Sequence, residues 1–166
     1  MGAVGGAGTW AAFSDSETSS GNTVSAGTID LASIDDTQID AGPLAPDESG
    51  DVVFDLTNGG SVSGRPKAYV ENVADQENGR EDAELEADGD GSGELSEVLE
   101  VGISFSGGGS GSGTLGSWAG SEVKGNGSGD GQNLIVSYTL PASAGNKYQS
   151  DSVTFDVVAV LEQQTS

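Results

Sequence analysis

The chain has 166 residues, about one domain, and carries 5 basic against 27 acidic side chains for a formal net charge of −22. It contains neither cysteine nor histidine, which excludes disulfides, zinc ribbons, a Cys nucleophile, haem attachment, a Ser-His-Asp triad and any His base or His metal cluster. So negative a surface repels phosphates, and five scattered cations make no basic track, so neither nucleic acid nor an anionic membrane is an expected partner.

Hydrophobic residues make up only 34% of the chain, close to the disorder boundary. They are clustered, however, in short runs of period two separated by Gly, Asn, Asp and Ser, which reads as all-β with a loop-rich surface. The acidic excess over three lysines resembles proteins of salt-loving organisms. At molar salt the Debye length is about 3 Å and self-repulsion is screened; in dilute buffer the same charge opposes compaction.

In chain order, residues 1–11 are uncharged and rich in small side chains, and Thr9-Trp10-Ala11 fits the small-x-small pattern before a signal-peptidase cut. This stretch is expected to be the tail of a secretory signal, too short to span a bilayer. No later stretch approaches the roughly 18 apolar residues of a spanning helix. Residues 12–26 form a polar lead-in, and 27–166 are expected to form one β domain. A first strand is read over 27–34 from the alternation of Ile29 and Leu31 with Thr28 and Asp30. Pro43 and Pro46 mark a turn over 42–48. Strands follow over 51–57 (DVVFDLT) and 66–73 (PKAYVENV), with Pro66 at a strand's first residue.

A carboxylate-rich loop then runs over about 76–94. The segment 94–100 has the makings of one helical turn, in competition with the β alternation of Leu99, Val101, Ile103 and Phe105. Residues 107–131 are glycine-rich and read as a long mobile loop, with one short strand near Trp118. Trp118 itself reads as a loop anchor tucked on the core, the alternative being a sugar-stacking or partner-contact residue. Strands close the chain at 133–140 (NLIVSYTL) and 152–161 (SVTFDVVAVL); the latter is apolar on both faces around Val157 to Val160 and is expected to be central. The fold class is therefore all-β, a jelly-roll-like β-sandwich of about seven or eight strands with long Gly-rich and acidic loops. Strand order does not follow from these patterns.

Phe13-Ser14-Asp15, followed by Gly21 to Leu31 (GNTVSAGTIDL), resembles the opening of mature TasA/camelysin-type proteins. The similarity continues through Leu44-Ala45-Pro46-Asp47 and Phe54 to Ser61 (FDLTNGGS). It returns at Asn146-Lys147-Tyr148-Gln149 and from Ser152 to Gln163. The matches keep their order over most of the chain, and about Gln76 to Gly131 looks private to this protein. Archaeal bundling-pilus subunits are similar and carry the same opening. The resemblance implies a secreted jelly-roll sandwich, located outside the cell or at its surface, that builds homopolymeric filaments by donor-strand complementation. The candidate donor is residues 12–26, with Ala12, Phe13 and Val24 as apolar anchors. The alternative for this segment, pairing with its own sheet as an ordinary first strand, stays open. The alternative for the whole protein is a monomeric, cation-dependent adhesin or cell-surface binding module.

Camelysin relatives are described as metallopeptidases, but a zinc peptidase needs three protein ligands, commonly His, and a general base. No His-Glu-x-x-His helix exists in this chain, and no aspartic pair stands out among so many carboxylates, so no catalytic residue is assigned and no enzyme activity is expected. No cofactor is required, and calcium is the one candidate. Glu86 to Leu95 (EADGDGSGEL) places Asp88, Asp90 and Ser92 at alternate positions with Glu94 close by, like the first half of an EF-type loop. The pattern departs where the bidentate Glu belongs, because Leu99 stands there. The plain alternative is a solvated acidic loop. Asn126-Gly127-Ser128 is an N-glycosylation sequon. Filament bundling is a further expectation, with high salt or divalent cations letting like-charged fibres approach.

Overall fold

The computed structural model describes residues 14–18, 23–24, 31–32, 39–41, 44–59, 63–77, 86, 92–148 and 151–163. Its strands are β1 (Ser14–Thr18), β2 (Thr23–Val24), β3 (Leu31–Ala32), β4 (Ile39–Ala41), β5 (Ser49–Asn58), β6 (Gly64–Gln76), β7 (Glu100–Phe105), β8 (Ser110–Thr114), β9 (Glu122–Lys124), β10 (Gln132–Thr139) and β11 (Ser152–Gln163). One helical turn, α1 (Leu95–Val98), precedes β7. Among the described residues seven of these strands have five residues or more, in line with the all-β reading.

Alternation decides which way each strand faces. Phe54 and Leu56 of β5, Val101, Ile103 and Phe105 of β7, and Leu134 and Val136 of β10 point into one core. Opposite them lie Ala68 and Val70 of β6 and Val153, Phe155, Val157, Ala159 and Leu161 of β11. Burying each large apolar side chain contributes about 1.5–3 kcal/mol, and this layer holds the two sheets together.

The first sheet runs β2-β1-β11-β6-β9, with β4 also pairing β11; the second runs β3-β5-β10-β7-β8. From β4 to β11 the chain moves between them so that β4, β6, β9 and β11 share one sheet and β5, β7, β8 and β10 the other. That winding is a jelly roll, the topology expected from the sequence. β1, β2 and β3 precede it and extend both sheets on one side.

The strands read over 51–57, 66–73, 133–140 and 152–161 appear with ends shifted by at most three residues. β6 runs on to Gln76 through a bulge opposite the Thr154–Asp156 stretch of β11. Asn72 sits there with φ 53° and donates its side-chain amide to Asp156 at 2.7 Å; Asn tolerates this left-handed geometry. Of the strand expected over 27–34, Leu31–Ala32 lies in β3 and the rest falls outside the described residues. The helical turn and β7 do not compete, because α1 ends at Val98 before β7 begins at Glu100, and Leu95 and Leu99 are both buried.

The stretch 107–131 is corrected. It is not a mobile loop but two strands, β8 and β9, around a 3-10 turn at Leu115–Trp118. Several of its glycines are there for close approach. A Cβ on Gly111 would lie 3.0 Å from Val123 and 3.2 Å from the Trp118 ring. Trp118 is 4% exposed, fills that space, and donates its indole N–H to the Val101 carbonyl at 3.2 Å. Leu115, Trp118 and Val123 join the core cluster, which gives this glycine-rich segment enough buried apolar surface to order it.

Candidate assembly site

The sequence of β11 makes it the centre of the first sheet. Val153, Phe155, Val157, Ala159 and Leu161 face the core. Val158 and Val160 alternate to the opposite face, yet are only 1% and 7% exposed. On one side β11 pairs with β6 from Ser152↔Gln76 to Gln163↔Gly64. On the other side its partner is divided. β4 covers only Val153 to Phe155, and β1 covers Val158 to Glu162. In a jelly roll one strand fills this place; here the short β4 leaves room that the N-terminal strand completes.

The strand that completes it is chemically mismatched. β1 reads SDSET and has no apolar residue. Its register sets Asp15 opposite Leu161, Ser16 opposite Val160, Glu17 opposite Ala159 and Thr18 opposite Val158. It supplies backbone pairing to β11 and no apolar side chain. Its own outer side is met by β2 at Ser16↔Val24 and Glu17↔Thr23 only. The described part of the candidate donor 12–26 thus lies along its own sheet in the single chain. Ala12 and Phe13 lie outside the described residues, and Val24 is placed by its backbone alone, in β2.

The outward face of this sheet carries ion pairs. Lys67 of β6 reaches Glu162 of β11 and, at 3.3 Å, Glu122 of β9; Lys124 reaches Glu122 at 2.9 Å. The hydrogen bond to Glu162 is the main cause holding the Lys67 ammonium above its usual range, with Glu122 adding to it against partial desolvation. The Lys124 hydrogen bond is the main cause holding the Glu122 carboxyl below its usual range. These pairs stitch β11, β6 and β9 together across their strands.

The candidate calcium residues are divided by the structure. Asp88 and Asp90 lie outside the described residues. Ser92 is exposed and Glu94 half-buried, and the Glu94 backbone N–H donates to Asp151 at 2.7 Å. Leu99, at the position where a calcium loop closes with Glu, is fully buried in the core. Two carboxylates that sequence reasoning did not single out act here. Asp75 accepts hydrogen bonds from the N–H and hydroxyl of Ser96 at 2.7 and 2.6 Å, and Asp151 accepts from the N–H of Glu94, so together they anchor the start of α1. No signal sets these two apart from the other acids of the chain. Asn126 is exposed after β9; its N–H donates to Gly108 at 3.0 Å and its carbonyl accepts from Gln132 at 2.6 Å.

Fold and site together define an all-β jelly-roll protein whose first sheet is completed by its own N-terminal strand. No helix among the described residues is long and apolar enough to cross a membrane. The chain belongs to the camelysin metallo-endopeptidase family, whose match covers residues 1–90, more than half of its length. That family is associated with secretion and the cell surface, and membership suggests a secreted protein of the biofilm-matrix kind. No curated protein and no solved structure matches the chain.

The family description names a metal-dependent peptidase, which requires a set of metal-binding side chains. The whole sequence offers no His and no Cys. Among the described residues no group of three or more His, Cys, Asp or Glu side chains is placed to hold a metal ion. These residues do not fit a zinc peptidase centre, and no catalytic step is derived through one.

Proposed function

We propose that the protein is a non-enzymatic structural subunit of secreted extracellular filaments, and that copies join by donor-strand complementation. Residues 12–26 of one copy lie alongside β11 of the next, in the place that β1 takes within a single chain. The observation supporting this reading is the divided partner of β11: a strongly apolar strand completed by a separately supplied, wholly polar strand. Exchanging that strand between copies preserves every backbone hydrogen bond of the pairing. It also moves Ala12 and Phe13 of the donor next to a new subunit. The contact joins unlike surfaces, so it propagates into a fibre instead of closing. No cofactor is needed for this role, and the partner is the chain itself.

The test is electron microscopy of the full chain at molar salt beside a variant lacking residues 12–20. The full chain is expected to give thin fibres of regular width. The deletion variant is expected to give none, and to bind a synthetic peptide of residues 12–26. Fibres of unchanged width from the deletion variant would overturn strand exchange, and single compact particles from the full chain would overturn the filament reading. Casein hydrolysis that survives purification and disappears with a single carboxylate substitution would overturn the non-enzymatic assignment.

A further inference from the structure

The opposite side of the sandwich from β1 ends in β8, an edge strand with only β7 beside it among the described residues. The phase of the β7–β8 ladder is fixed by two hydrogen bonds, Phe105 N–H to the Gly109 carbonyl and Leu115 N–H to the Leu99 carbonyl. Hydrogen-bonded pairs recur at every second position of an antiparallel ladder. They are therefore Ile103 with Gly111 and Val101 with Gly113. Ser110, Ser112 and Thr114 fall between them, so their N–H and C=O groups point away from β7. The Thr114 carbonyl accepts the Ser117 hydroxyl at 2.6 Å; no partner is described for the edge-facing groups of Ser110 and Ser112.

Natural edge strands are blunted by charge, proline, bulges or a covering element. β8, SGSGT, has no charge and no proline, and its register against β7 is unbroken. The neighbouring edge, β9, has only three residues, two of them charged. The difference is also one of field. Arg65, Lys67 and Lys124, three of the five basic residues of the chain, lie on or beside this side through the β6–β9 pairing. They offset Glu100, Glu122 and Glu162. Among the described residues, charges of opposite sign therefore offset one another on this flank, in a chain of net charge −22. Two like-charged copies meet least repulsion at this flank.

We propose that β8 is a self-association edge, pairing antiparallel with β8 of a second copy about a two-fold axis through Ser112. The sequence suits this. With Ser112 opposite Ser112, Ser110 stands opposite Thr114 and Gly111 opposite Gly113. Every outward-pointing N–H and C=O then meets its counterpart, the alternation of faces is kept, and β8 itself carries no bulky side chain. Two five-stranded sheets become one continuous sheet. The contact is isologous and does not depend on strand exchange at β11, which belongs to the other sheet.

The absence of cysteine makes the test clean. In the full chain at molar salt, Ser112→Cys is expected to form a disulfide-linked dimer under mild oxidation about tenfold faster than Ser137→Cys. The paired Cα atoms of an antiparallel ladder lie within disulfide range, whereas position 137 sits two strands inward on the same sheet. Equal rates, or faster linkage at 137, would overturn the proposal. In a second variant, Ser112→Pro, the lost N–H is not one the β7–β8 ladder uses, so the fold is expected to survive. Sedimentation velocity is expected to show its side-by-side association abolished, and any fibres it forms are expected to run singly. A folded Ser112→Pro chain that associates like its parent would overturn the proposal, and if that variant does not fold the cysteine pair decides.

Discussion

The outward faces of the two sheets are built on different principles. The first, over β11, β6 and β9, carries Asp156, Glu162, Arg65, Lys67, Glu71, Glu122 and Lys124, and beneath its charges it buries Val158 and Val160. The second, over β10, β7 and β8, shows Asn133, Ile135, Ser137, Thr139, Gly102, Ser104, Ser110 and Ser112, with Glu100 as its charge. Asp51 and Asp55 of β5 border it, and Val53 between them is 49% exposed. A face that is charged but holds buried valines is already covered and cross-linked by its own chain. A face of hydroxyls and glycines is held by its backbone and core side alone, and is free to meet another surface.

The sharpest way to break this contrast is one substitution made on both faces. Val158→Asp is expected to destabilise by about 4 kcal/mol or more, because it buries a carboxylate without a partner. Val53→Asp is expected to stay within about 0.5 kcal/mol. Urea unfolding at fixed high salt reads both, and equal costs would remove the distinction. Next in size, Trp118→Ala is expected to cost about 3–5 kcal/mol and to raise amide exchange in β8 and β9 more than in β6. Uniform exchange across the four strands would show that Trp118 does not hold that flank. Raising NaCl from about 0.1 M to 2 M is expected to increase stability by a few kcal/mol, since the screening length falls from about 10 Å to below 3 Å. Unfolding midpoints that fall with salt would place ion pairing above self-repulsion.

The smallest effect belongs to the ion pairs of the first sheet. Lys67→Met is expected to cost less than about 1 kcal/mol near neutrality. The sign with pH follows from its raised value. The Lys67 contribution is fully present below its ordinary range near 10.5 and is lost as pH rises through the higher folded value. Glu122 runs the other way: its contribution is present above 4.5 and is lost as pH falls through the lowered folded value. A Lys67→Met chain whose stability profile matches the parent above pH 10 would show that these pairs contribute nothing.

The parts legible in the sequence are those where a period shows over several residues. The alternation of β7 and the two-sided apolar run of β11 announced a half-buried and a central strand, and both stand where that reading put them. β4 and β9, at three residues each, are too short to display a period. Composition misled at 107–131, because glycine reads as flexibility whereas Gly111 is there to admit the Trp118 ring. The pairing of β1 with β11 stood as one of two open alternatives, and nothing local to SDSET chooses between them. Lys67 meets Lys124 only through the β6–β9 register, a non-local fact that no window of sequence contains.

The central strand of the first sheet follows, in chain order, every strand it pairs with. β1, β4 and β6 are synthesised before Ser152–Gln163, so until β11 emerges β1 and β6 have only the short β2 and β9 beside them, and β4 has no partner among the described strands. Sheets closed by such distant pairings form slowly, because loop entropy is lost before contacts compensate it. Under the proposed strand exchange, the place that accepts a neighbour's strand therefore forms only when β11 docks, so a truncated chain lacking β11 is expected to donate residues 12–26 but not to accept them.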